Sequence, residues 1–190
     1  MFSVVVHEVS HGSMAYALGD NTAKEAGRLT LNPIPHIDPV GSILLPAVIG
    51  FGWAKPVPYN PYNLKSQKWG PLLVGVAGPA SNIIIAIVFG FLLRFSDALT
   101  FLPSSFFNMA LLIATLNLGL ALFNLIPIPP LDGSKVLFAF LPRSAYPAAA
   151  FLESYGFIIL LFLLFFTPFL SWIVYPLASL IFTLITGFAF

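Results

Sequence analysis

The chain has 190 residues, of which 58% are hydrophobic and only 8% charged, with eight basic residues against seven acidic ones and a net charge of +1. Soluble domains carry about 25% charged residues, and a mean hydropathy of +0.95 leaves too few charges to cover a water-facing surface. A soluble globular domain, a disordered chain and a nucleic-acid binder are thereby excluded. The absence of cysteine removes disulfides and thiolate metal sites.

Taken in chain order, Met1–Leu18 reads as a helix stopped by Gly19 and Asp20. It carries no basic n-region, so a cleaved signal peptide is not expected. It begins abruptly in apolar sequence, and the expectation is that the natural chain starts earlier. Arg28-Leu29-Thr30-Leu31-Asn32 alternates polar and apolar between Gly27 and Pro33, which predicts a short strand or hairpin. Val40–Phe51 is apolar but contains Gly41, Pro46 and Gly50. At about 1.5 Å per residue it cannot cross 30 Å of hydrocarbon, so it is expected to be re-entrant.

Leu72–Leu93 and Phe106–Ile128 contain no charged residue in 22 and 23 positions, and each is one expected span. Ser154–Phe190 is a further 37 uncharged residues interrupted by Pro168 and Pro176. Tyr155 and the Trp172/Tyr175 pair stand about one bilayer apart, which predicts a span from about 155 to 175 and a separate piece after Pro176. The expected architecture is an all-α polytopic membrane protein forming one domain over 1–190. It has about four to six membrane helices, a re-entrant segment and a short strand near the active site.

Charge tests the topology. If Val40–Phe51 dips and returns, Lys24, Arg28, Lys55, Lys65, Lys68, Lys135 and Arg143 share one side, and Arg94 stands alone on the other. The positive-inside rule makes the crowded side cytoplasmic.

His7-Glu8-Val9-Ser10-His11 is an H-E-x-x-H sequence. Four residues apart on a helix, both imidazoles reach one metal ion, and Glu8 beside them is placed to take a proton from the attacking water. With three His and three Glu in the chain, chance produces the pattern in roughly one chain in a thousand. A carboxylate in an apolar span is also expensive, and marks function by default. A catalytic zinc usually takes three protein ligands. Without cysteine the third is His36 or a carboxylate, and Asp132 is the best candidate. It closes Asn124-Leu125-Ile126-Pro127-Ile128-Pro129-Pro130-Leu131-Asp132-Gly133, where the prolines forbid regular helix. Irregular backbone at membrane depth is tolerated only against protein or a watery cavity. His36 is read either as a group for oxyanion, substrate or metal, or as a loop histidine bonded to backbone. Asn82, Asn108 and Asn117 read as helix-to-helix hydrogen bonders.

The H-E-x-x-H helix, together with Asn124 eight residues before Asp132 in an N-x-x-P-x-x-x-x-D-G arrangement, resembles the site-2 protease family of intramembrane zinc metalloproteases. Gly19-Asp20, Gly27–Pro33, His36–Pro39, Ala54–Pro58 and Ala77–Asn82 are also similar to its compact prokaryotic members, without PDZ or CBS domain. The resemblance covers about residues 4–143. It implies one zinc ion held by His7, His11 and Asp132, Glu8 as catalytic acid and base, and a polar role near the metal for Asn124. The expected partners are a transmembrane protein substrate and the lipid bilayer, with the active site toward the cytoplasmic half of the cell membrane. The competing expectation is a non-proteolytic metal or ion transporter, or an inactive homologue. Transporters often show paired halves, and none is visible.

Overall fold

The computed structural model describes residues 1–44 and 54–188. Among them the regular structure is helical, and the chain divides into two compact units, 1–78 and 79–190.

In the first unit, α1 (Phe2–Ala17) turns Val5, His7, His11, Gly12 and Ala15 inward. These positions form one stripe at helical spacing. The helix ends at Leu18, and Gly19 follows at φ 107°, a conformation glycine adopts without cost. Helix α2 (Thr22–Glu25) follows and ends before Gly27, at φ 65°. Ile34–His36 is a single 3₁₀ turn and Pro39–Leu44 a π turn. Residues 54–58 form no regular element, and Pro56 and Pro58 hold the residues before them in extended backbone; a second 3₁₀ turn follows at Pro61–Asn63. Helix α3 (Trp69–Arg94) begins here, and its first ten residues belong to this unit. Ala15, Leu64 and Val74 form the core, flanked by Met14, Leu18 and Tyr59.

The strand expected at 28–32 does not form; no strand occurs among the described residues. Side chains satisfy the backbone there instead. Thr30 Oγ1 accepts from Asn32 N (3.2 Å), and Asn32 Oδ1 from Ile34 N (3.1 Å). Such local bonds compete with strand pairing. Of the proposed dip, Pro39–Leu44 is the π turn, and 45–51 lies outside the described residues.

Asp20 ties the end of α1 to the 60–63 turn. Its carboxylate is fully buried and accepts from Thr22 Oγ1 (2.6 Å), Thr22 N (3.2 Å), Asn60 N (2.7 Å) and Asn63 Nδ2 (2.9 Å). Burial pushes its pKa up, but these hydrogen bonds outweigh it and bring the pKa below 3.8. A depressed native pKa makes the ionised form stabilising, so the contribution is complete above the unfolded value near 3.8 and lost as pH falls through the native one. Asp20→Asn places an amide against donors and is expected to cost about 2 kcal/mol at pH 7. Thermal unfolding in detergent should show the gap from wild type closing below about pH 3.8. An equal gap at both pH values would count against this ionised role.

The second unit contains the rest of α3, α4 (Ser104–Asn124), α5 (Gly133–Phe140), α6 (Tyr146–Phe166) and α7 (Tyr175–Thr186). Helices α3, α4 and α6 are long and apolar enough to cross a membrane, and Leu170–Thr186 is a shorter apolar stretch. Ala86, Leu93, Ala110, Ala114, Leu118, Leu122, Ala178 and Phe182 make its larger core. Half of these eight are alanine, as expected where helices must approach closely in lipid. Asn82 Nδ2 donates to Asn117 Oδ1 at 2.8 Å, and both side chains are fully buried, which is the helix-to-helix bond expected of them. Arg94 Nη1 donates to the Leu184 carbonyl at 3.0 Å near the end of α7.

Two span boundaries differ from expectation. Helix α4 stops at Asn124 rather than running to 128, because Pro127 and its successors cannot continue it. The span placed at about 155–175 is instead α6, Tyr146–Phe166. Pro147 is tolerated in the first turn, whereas Thr167 before Pro168 is forced extended (φ −136°, ψ 154°), as residues preceding proline are.

Candidate metal centre

On α1, His7 and His11 lie one turn apart and are both buried. Their Nε2 atoms stand 3.0 Å from each other, with the rings edge to face at 86°. His11 Nδ1 lies 2.6 Å from the Val74 carbonyl oxygen. A carbonyl only accepts, so Nδ1 carries the proton and Nε2 presents a lone pair. This is how metal-ligating histidines are oriented. Two ring nitrogens 3.0 Å apart in a buried place, one with its tautomer fixed this way, suit a shared cation. Tetrahedral zinc with Zn–N near 2.0–2.1 Å holds its nitrogens roughly 3.3 Å apart.

The backbone of α3 closes over this pair at Gly78. A Cβ there would collide with His11 Nε2 and stand 2.6 Å from His7 Nε2. Only glycine lets the helix pass so close. Pro79 follows inside α3 and cannot donate to the carbonyl four residues back, which loosens the helix at this level.

Glu8 is half-buried, and its Oε2 accepts a hydrogen bond from Val57 N at 2.9 Å. Val57 belongs to the extended segment 54–58, which lies against α1 because Gly12 has no side chain. A Cβ on Gly12 would meet Leu29 Cδ2 at 2.7 Å and Val57 Cγ1 at 2.8 Å. His36 is fully buried, with Nε2 2.9 Å from the Thr30 carbonyl.

In the second unit Asp132 immediately precedes α5 and is 6% exposed. Lys135 Nζ pairs with its Oδ1 at 2.9 Å. Gly133 allows the turn to sit on the preceding loop, since a Cβ there would run into the Leu125 carbonyl and lie 2.6 Å from Ile126 O. Gly156 of α6 packs in the same manner on Pro129. The loop that carries Asp132 is therefore wedged by two glycines. Asn124, the last residue of α4, donates through Nδ2 to the Leu120 carbonyl at 2.9 Å.

The sequence reading missed the groups around the motif: the Val74 carbonyl, the Val57 N–H, and the clearances at Gly12 and Gly78. The Gly78-Pro79 pair inside an otherwise regular span was the available signal, because both residues weaken a helix unless a close approach requires them.

The model of a family described as "Peptidase family M50" matches residues 100–167. The chain is 43% identical over 182 residues to "Putative zinc metalloprotease YwhC" of Bacillus subtilis, covering 93% of this chain and 82% of that protein. It is 30% identical over 169 residues to "Putative zinc metalloprotease Rip2" of Mycolicibacterium smegmatis, covering 86% of this chain and 64% of the relative. Against "Zinc metalloprotease MJ0392" of Methanocaldococcus jannaschii it is 30% identical over 141 residues, or 74% of this chain and 32% of the relative. No solved structure matches the chain.

Proposed function

This chain belongs to peptidase family M50, and from that premise we propose that it hydrolyses peptide bonds within or near transmembrane segments of membrane proteins. It is a membrane zinc metalloprotease. The observation that carries the mechanism is the pair of Nε2 atoms 3.0 Å apart on α1 with a carboxylate on the adjacent residue.

We assign the ligand set to His7, His11 and Asp132. Asp132 is favoured over His36 because the N-x-x-P-x-x-x-x-D-G arrangement that carries the resemblance ends on Asp132. Asp132 is a buried carboxylate whose charge Lys135 partly balances. Zinc bound there supplies Lewis-acid chemistry, lowering the pKa of water toward 7 and polarising the scissile carbonyl. Glu8 takes the proton of the attacking water and returns it to the leaving amine. An amide carries two N–H donors; the Asn124 side chain spends one on Leu120 and offers the other to the developing oxyanion. Seven of the eight basic residues fall on one side of the proposed topology, which supports a site toward the cytoplasmic half of the cell membrane. Membership in a peptidase family, with Glu8 retained, favours hydrolysis over the transporter reading.

The test is purified protein in detergent with a model transmembrane substrate. Cleavage should stop on chelation and return with zinc; no cleavage by the zinc-loaded protein would overturn the proposal. Asp132→Ala is expected to weaken zinc affinity by roughly 100-fold or more. Full metal occupancy in competition with a chelator would move the third ligand elsewhere.

A further inference from the structure

The extended segment 54–58 has its polar backbone groups committed in a way that points to one residue. Arg28 is buried, at 7% exposure. Its Nη2 donates to the Lys55 carbonyl at 2.7 Å and reaches the Pro56 carbonyl at 3.3 Å. Among the described residues no carboxylate pairs with it, and its Nε has no hydrogen-bond partner. Burying a guanidinium is costly unless it is well bonded. Here the charge is directed at two successive carbonyls of one strap. The strap has two further anchors. Lys55 N donates to the His36 carbonyl at 2.9 Å, and Val57 N donates to Glu8 Oε2 at 2.9 Å. Pro56 and Pro58 fix φ on either side of Val57, and the missing side chain at Gly12 lets Val57 lie directly on α1.

We propose that Arg28 is a positioning residue for the proteolytic site: by gripping the Lys55 and Pro56 carbonyls it holds the Val57 N–H on Glu8 and so fixes the orientation of that carboxylate. This deepens the reading of Glu8 as acid and base, and rests on it. A carboxylate side chain has free rotation about its terminal bond. A single N–H held by a rigid strap removes that freedom before substrate arrives, which is how a supporting residue preserves near-attack geometry. Arg28 touches neither reacting atoms nor the ligand nitrogens in this arrangement, so its removal should lower kcat while leaving KM and zinc content alone.

The experiment uses the full zinc-loaded protein in detergent with a model transmembrane substrate. Arg28→Ala is expected to lower kcat about 10- to 100-fold, the range seen when supporting residues are removed. KM and zinc per chain should stay at wild-type values, and added methylguanidinium should recover kcat at least several-fold. Arg28→Lys retains a buried cation but only a compact donor, and should fall between the two; it serves as the readout if Arg28→Ala does not fold. Wild-type kcat in the variants, loss of zinc together with activity, or a kcat that neither methylguanidinium nor lysine improves would each overturn the proposal. Glu8→Gln is run alongside. If it cleaves like wild type, the reading of Glu8 fails. If it is inactive while the Arg28 variants are unimpaired, only the positioning role fails.

Discussion

Glu8→Gln is expected to leave zinc binding intact and to lower kcat by about 10³- to 10⁴-fold, the upper part of the range for removing a general acid–base group. The substitution is nearly isosteric. The amide keeps an oxygen that accepts from Val57 N, so the contact seen at 2.9 Å survives and α1 has no reason to move. His7 and His11 project on their own side of the helix and are oriented by other groups, His11 by Val74. What is lost is the capacity to take a proton, since a neutral amide has no basic oxygen. The measurement is single-turnover cleavage of a transmembrane substrate beside metal analysis of the same preparation. Equal cleavage by wild type and variant would sink the mechanism. Loss of metal together with activity would assign Glu8 a structural part instead.

Gly78→Ala is expected to produce the opposite pairing, a loss of activity because zinc is lost. The added methyl has nowhere to go: its nearest atoms are Nε2 and Cε1 of His11 and Nε2 of His7. Either the imidazoles separate or α3 shifts away from α1, and a shift would also pull the Val74 carbonyl from His11 Nδ1, now at 2.6 Å. Displacing ligands costs more than losing one of their supporting partners, so the zinc dissociation constant should rise by roughly 100-fold or more. Gly119→Ala is the matching control. Gly119 also lies in an apolar helix, but its Cβ position has nothing within 4 Å, and alanine there gains up to about 1 kcal/mol of helix propensity. If Gly78→Ala binds zinc as tightly as Gly119→Ala, the close approach has no bearing on the metal.

How much of this was legible in the sequence depends on the range of each interaction. The spans were visible because hydropathy is a local property summed over about 20 residues. Their ends were less so. The boundary of α4 is set by Pro127, visible but underweighted, while α6 begins near Pro147 because proline suits a first turn. The meeting of His7 and His11 was legible because they are four residues apart on one helix. Its supports were not. Val74 lies 63 residues from His11, and Val57 lies 49 from Glu8. Both act through backbone atoms, which every residue possesses and no composition betrays. The strand expected at 28–32 failed for a related reason. Alternation described the side chains, but Thr30 and Asn32 used theirs to satisfy the backbone locally.

The strap at 55–58 offers little to a pairing chain. Extended backbone normally presents a row of open donors and acceptors, which invites pairing with any passing chain. Here that edge is blunted. Two of its four residues are prolines and carry no N–H, and the other two N–H groups are taken by His36 and Glu8. An incoming extended peptide finds no donor along it. The same arrangement that steadies a carboxylate therefore also guards the segment against being zipped into a neighbouring polypeptide, whether substrate or another copy of the protein.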